Sequence, residues 1–217
     1  MSSSAPSTVS LTVARPATVE IEIKRSRFRA DIVRVSTEDE ARALVERLRR
    51  EHWDARHHCS AFVLGPDRPG GEIQRSNDDG EPAGTAGAPM LEVLRGRELV
   101  DVAVVVTRWF GGVLLGAGGL VRAYGDAVRA ACDEAGVQRR ELRRTGSLTV
   151  GHADAGRAEN ELRARGVVVT GTTYGASGVE LALAAGAERT AEVDAAVAAV
   201  TAGAAAVEWG DTAWVDV

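Results

Sequence analysis

The chain has 217 residues, 45% of them hydrophobic and 26% charged, enough for one large or two small soluble domains with a real core. Its net charge of −5 is unevenly spread: residues 145–217 carry ten acidic and four basic side chains, residues 1–144 carry 21 and 22. An acidic second half is a poor surface for a phosphate backbone, so any nucleic-acid contact is expected in the first half.

No run is long and apolar enough to span a bilayer, and MSSSAPSTVS lacks the apolar core of a signal peptide; a cytoplasmic protein with no membrane partner is expected. Without a CxxC spacing, Cys59 and Cys132 read as reduced core thiols.

Residues 1–17, rich in Ser, Thr, Pro and Ala, are expected to be a mobile N-terminus. Val19, Ile21 and Ile23 alternate with charged residues as a half-exposed strand does, and Arg25-Ser26-Arg27 turns the chain into a second strand over 28–35. Thr37 and Glu40 have capping-box spacing before a helix whose apolar face is Ala41, Leu44, Val45 and Leu48. Residues 58–64 form a strand with Cys59, Ala61 and Val63 on one side. Residues 66–89 read as a long functional or disordered loop, and 90–99 as a short helix.

Residues 102–106 are uninterruptedly apolar, as in a strand buried on both faces. The strand ends on Arg108, Trp109 and Phe110; Gly111 and Gly112 break it, and Gly116, Gly118 and Gly119 lead into a helix with Leu120, Tyr124, Ala127, Val128 and Ala131 on one face. A strand over 137–142 and the charged run RRELRR at 139–144, an exposed edge strand or linker, close the first domain. The rest follows a βαββαβ order: a strand at 148–150, a helix capped by Asp154 and ended by Gly166, strands at 167–174 and 179–184, a helix capped by Thr190, and a strand at 204–209 turned by Gly210-Asp211. That is the ferredoxin-like pattern, which recurs with many functions.

Three features could carry chemistry. Asp78, Asp79 and Glu81 crowd onto a loop stiffened by Pro82 and Pro89, suited either to magnesium or to turn formation. Arg108, ending an apolar strand, needs a carboxylate partner or an anionic ligand. The Gly116–Gly119 helix start offers free N–H groups to a phosphate, or serves only close packing; it matches neither the P-loop nor the dinucleotide fingerprint. His57 at a strand start could face core or cleft. No catalytic triad is visible, and no His spacing suits zinc.

Arg108-Trp109-Phe110-Gly111-Gly112 followed by LGAGGLVRAY, with SNDDGEPAGTAGAPML at 76–91 and HHCSA at 57–61, resembles the signature of the IMPACT/YigZ family. The resemblance implies an α+β protein. Its first domain would resemble the second domain of ribosomal protein S-five, a sheet with helices on one side, over 18–143. A ferredoxin-like domain similar to the last domain of elongation factor G would follow at 144–217. It implies that His57, Ser76, Asp78, Asp79, Gly80, Glu81, Pro82, Gly84, Thr85, Gly87, Arg108, Gly111, Gly112, Gly116, Gly118, Gly119, Arg122 and Tyr124 gather around one cleft, with no catalytic role assigned. Eukaryotic IMPACT proteins regulate translation, but carry an additional domain before the shared one. The expectation is therefore a translation-linked regulatory or binding protein that meets ribosome, RNA or translation factors through that cleft, without a cofactor. The alternative is a magnesium-dependent enzyme acting on a phosphorylated small molecule or nucleotide; a third is a scaffold whose motifs serve only the fold.

Overall fold

The computed structural model describes residues 8–65 and 71–217. The chain divides into two compact units, Ser10–Arg139 and Arg140–Val217, the latter joined by the described residues Thr8 and Val9. The strands are β1 (Val9–Val13), β2 (Ala17–Ile23), β3 (Ser26–Arg34), β4 (His57–Leu64), β5 (Ile73–Asn77), β6 (Val102–Trp109), β7 (Val137–Val150), β8 (Val168–Tyr174), β9 (Val179–Ala185) and β10 (Glu208–Asp216). The helices are α1 (Glu38–Glu51), α2 (Gly87–Gly96), α3 (Ala117–Ala135), α4 (Ala155–Ala164) and α5 (Thr190–Thr201).

In the first unit, β2-β3-β6-β4-β5 form a sheet whose neighbours are all antiparallel. β6 is its middle strand. Val102, Val104 and Val106 pack with α2 and α3 into one core, which includes Phe28, Met90, Tyr124 and Val128. Ala103 and Val105 point the other way, into a second core with Ala41, Leu44 and Leu48 of α1. Alternation along a strand makes this unavoidable: an all-apolar strand must be covered twice. The expectation of helices on one side is thus corrected, since α1 covers the opposite face.

Local chemistry sets the boundaries. Thr37 caps α1, accepting from the Glu40 N–H at 3.1 Å, while the Glu40 carboxylate reaches back to the Ser36 N–H at 2.5 Å, one residue before the position a capping box uses. The β2–β3 turn places Lys24 and Arg25 at φ 49° and 66°, as a tight hairpin turn requires. The expected long loop at 66–89 is shorter: residues 73–77 form β5, residues 66–70 lie outside those described, and α2 begins at Gly87.

Of the expected mobile N-terminus, residues 1–7 lie outside those described, and 9–13 form a strand. Leu11 and Val13 alternate with Ser10 and Thr12; Val100 donates its N–H to Leu11 O at 2.9 Å, and the Thr12 hydroxyl bonds Asp101 O at 3.3 Å. A nearby partner outweighs a loop-like composition. The boundary expected at 143/144 is also corrected. β7 is one continuous strand through RRELRR, and residues 140–147 pair with β10, so this is neither an edge nor a linker.

The second sheet has five strands, in the order β1-β7-β9-β8 with β10 also paired to β7; α4 and α5 share one core with it through Leu162, Leu181, Leu183, Val193 and Val197, and the β10, β7, β9 and β8 pairs with these helices make the ferredoxin-like arrangement. Two details differ from expectation. Asp154 makes no cap bond and instead pairs with Arg157, and Thr190 is the first helical residue rather than the cap. The last strand lies at 208–216, because Gly210-Asp211 forms a bulge within it instead of a turn after it.

Candidate functional site

Arg108 continues the Val102, Val104, Val106 row and therefore enters the α3-side core, where it is only 6% exposed. A guanidinium there needs a partner, and Glu81 supplies it: Nη1 lies 2.5 Å from Oε1. The same Oε1 accepts the Tyr124 hydroxyl at 2.8 Å. The Cys59 thiol lies 3.3 Å from that hydroxyl and 3.0 Å from Asp78 O. Burial pushes the Cys59 thiol up to about 12, although the Tyr124 hydroxyl acts the other way. Burial likewise raises the Tyr124 phenol, reinforced by Cys59 and Glu81. Neither group is a poised nucleophile at neutral pH.

The loop that brings Glu81 is built by its own acids. Asp78 accepts three backbone N–H groups, from Gly84 at 2.8 Å, Ala86 at 3.0 Å and Gly87 at 2.8 Å, so it folds the loop and caps α2 from a distance. Burial alone would push its carboxyl up, but these bonds outweigh it and the pKa is lowered. Asp79, in the left-handed region at φ 42°, takes Arg49 Nη2 at 2.9 Å on one oxygen and the His58 N–H at 2.6 Å on the other. Its carbonyl lies 2.8 Å from His57 Nδ1. A carbonyl only accepts, so neutral His57 carries its proton on Nδ1 and keeps Nε2 as a lone pair, 3.9 Å from Glu81 Oε1.

These elements frame a cavity of about 380 Å³ lined by Arg56, His57, Glu81, Pro82, Arg108, Phe110, Leu114, Leu115, Gly116, Ala117 and Leu120. Of the residues expected at the cleft it takes His57, Glu81, Pro82, Arg108 and Gly116. Gly118 and Gly119 follow in the first turn of α3, whose start has no side-chain cap. Gly111 stands off the cavity and fixes the loop, since a Cβ there would lie 2.0 Å from the Arg25 carbonyl carbon, and its N–H donates to Ser26 Oγ at 3.1 Å. Gly112 turns the chain at φ 82°. Thr85 is buried with its hydroxyl on Pro82 O at 2.7 Å.

Three expected residues are elsewhere. Ser76 lies on β5 beside a separate groove of about 470 Å³ next to α1. Arg122 lines a concavity between α2 and α3. Tyr124 is a fully buried core residue that reaches Glu81 through its hydroxyl alone. The sequence reading missed Arg56, Leu114 and Leu115 as lining residues. Leu114 is 82% exposed and Phe110 43%, and the signal was present: FGGVLLG is apolar, yet too glycine-rich to be a strand.

Asp78, Asp79 and Glu81, read as suited either to magnesium or to turn formation, are each engaged by protein donors. Among the described residues no group of three or more His, Cys, Asp or Glu side chains is arranged to hold a metal ion.

Fold and site together define a two-unit α+β protein with a half-apolar cleft beside a buried Arg–Glu pair. The chain belongs to the IMPACT family: the Impact N-terminal domain model matches residues 24–132, and a domain of unknown function (DUF1949) matches 148–204. It is 50% identical over 144 residues to the IMPACT family member YvyE of Bacillus subtilis, covering 66% of this chain and 65% of that one. It is 37% identical over 93 residues to the Protein IMPACT homolog of Saccharomyces cerevisiae, covering 42% and 35%. The chain thus spans about two thirds or less of these relatives. A crystal structure described as that of a hypothetical protein, 36% identical, superposes with a TM-score of 0.61 over 93% of this chain and 97% of the other.

Proposed function

We propose that the protein is a translation-linked regulatory or binding protein that takes its partner, a ribosome, RNA or translation factor, in the cleft of the first unit. Family membership supports the link, because eukaryotic IMPACT proteins regulate translation and the shared segment includes the cleft motifs. The observation that carries the cleft as contact surface is its rim. Phe110 and Leu114 stand exposed beside Arg56 on a loop anchored at Gly111, which is the mixed apolar and cationic character of a recognition surface.

Ribosome co-sedimentation from lysate tests it, comparing wild type with a Phe110→Ser/Leu114→Ser variant. Both side chains are exposed, so the variant keeps its fold. Wild-type sedimentation with ribosomes or subunits, lost in the variant, supports the reading. Absence of the wild type from those fractions overturns the ribosome as partner, and an unchanged variant moves the contact off the cleft.

A further inference from the structure

We propose that the first unit binds single-stranded RNA across one end of its sheet, where Lys24, Arg25, Arg27 and Arg56 stand among Trp53, Trp109 and Phe110. This names the partner class for the proposed binding surface, whose mouth residues Arg56 and Phe110 it shares, and rests on that reading.

These residues come from three separate segments, at 24–27, 53–56 and 109–110, and the fold joins them. The β2–β3 turn meets the end of β6 on one side: Arg27 pairs in register with Trp109, and the Gly111 N–H donates to Ser26 Oγ at 3.1 Å. The turn after α1 meets it on the other: the Arg56 N–H donates to Arg108 O at 3.3 Å, and Trp109 Nε1 donates to Asp54 Oδ2 at 2.9 Å. The Trp109 ring locks the three together. It carries the Arg27 guanidinium 4.4 Å from its centroid and meets His52 edge-on at 5.4 Å.

Charge selects the sign of the ligand. The whole chain stands at −5, yet Lys24, Arg25 and Arg56 are exposed without an ion-pair partner among the described residues. Arg27 is also exposed and lies 3.6 Å from Glu20, with Glu22 opposite it in register. Asp54 is the one carboxylate within the three segments. The surplus is therefore positive, as a phosphate backbone requires. The turn itself is costly: Lys24 and Arg25 hold φ 49° and 66°, which a tight hairpin ordinarily gives to Asn and Gly. Two long cations stand at its tip against the backbone preference.

The rings decide which polyanion fits. Trp53 is 82% exposed and makes no ring contact or hydrogen bond among the described residues, and Phe110 is 43% exposed. Flat rings left in water among cations are stacking surfaces for nucleobases. An acidic peptide would answer the arginines and leave the rings uncovered, and a duplex hides its base faces. A single strand supplies both phosphates and free bases, and the link to translation selects RNA.

The test measures binding of the full chain to a short fluorescent single-stranded RNA of mixed sequence by anisotropy, over a range of salt. Affinity should fall with salt, log Kobs against log salt having a slope of about −2 to −3 for three or four phosphate contacts. Trp53→Ala should weaken binding about ten-fold and leave that slope in place. Lys24→Asn combined with Arg25→Gly should make the slope shallower by about 1. Both variants keep the fold: Trp53 is exposed, and Asn and Gly suit the left-handed turn better than the residues they replace. Unlabelled poly-glutamate should displace the RNA far less well than unlabelled RNA does.

A wild type that binds no RNA at low salt, or variants that bind as the wild type does, overturns the proposal. Equal displacement by poly-glutamate overturns it in favour of an acidic protein, and equal binding of a DNA strand of the same sequence overturns RNA as the occupant. The ribosome fails separately: RNA binding without ribosome co-sedimentation supports this site and sinks only the ribosome as partner, and co-sedimentation without RNA binding sinks only this site.

Discussion

Arg108 and Glu81 meet across 27 residues of sequence as an ion pair whose side chains are 7% and 3% exposed. Everything else in the cleft is arranged around this contact: Tyr124 holds the carboxylate from the core side, and the Asp78–Thr85 loop delivers it.

Breaking one half of such a pair strands the other charge in the core. Arg108→Ala should cost about 3–5 kcal/mol in unfolding free energy, whereas Arg108→Met with Glu81→Leu should recover most of the loss. Urea denaturation of the single and double variants checks this. A single variant as stable as wild type would show that the pair is not buried.

Asp78 should make stability acid-sensitive. Its carboxyl is held below the usual carboxylate range in the folded protein, so its contribution is complete above the unfolded value of about 3.9 and disappears as pH falls through the folded value. Asp78→Asn should be less stable than wild type at pH 7 by about 0.5–2 kcal/mol, with the gap closing as pH falls below about 4. Thermal melts of both proteins across that range give the answer; a gap independent of pH would contradict it.

The two thiols should be silent in the native protein. Burial lifts Cys59 to about 12 and Cys132 to about 11, leaving almost no thiolate at pH 8. A disulfide-exchange reagent should find neither thiol quickly under native conditions and both in denaturant. Rapid native labelling of either would refute the burial described here.

Glycines in the same motif should respond oppositely to alanine. Gly111→Ala drives a methyl into the Arg25 backbone and should destabilise by about 1–3 kcal/mol or more. Gly118→Ala meets open space inside a helix and should stabilise by up to about 1 kcal/mol. Melting temperatures moving in opposite directions confirm the assignment.

The apolar run at 102–106 gave away both the central strand and its double burial, and the placement of Arg108 followed from its position on that strand. The same run implied helices on both faces, which the family-level expectation overrode. β1 was missed because its partners, β7 in the sheet and Leu99–Val100 through an isolated bridge, are remote in sequence, and β7 was split because the arginines of RRELRR looked solvated. Arg140 is in fact 4% exposed, set against the Trp214 ring, a stacking contact that spacing does not reveal. Within the cleft, motif residues separated by face: Ser76 and Arg122 share the signature with Arg108 but point to other surfaces. A signature marks what a fold needs as well as what a ligand touches.

Asp79 carries one more consequence. Its side chain grips Arg49 of α1, which borders the groove on one side of the sheet, while its carbonyl holds the ring of His57 in the cleft on the other. One residue thus ties a surface helix on one face of the sheet to a ring on the other, and a change at Asp79 reaches both faces at once.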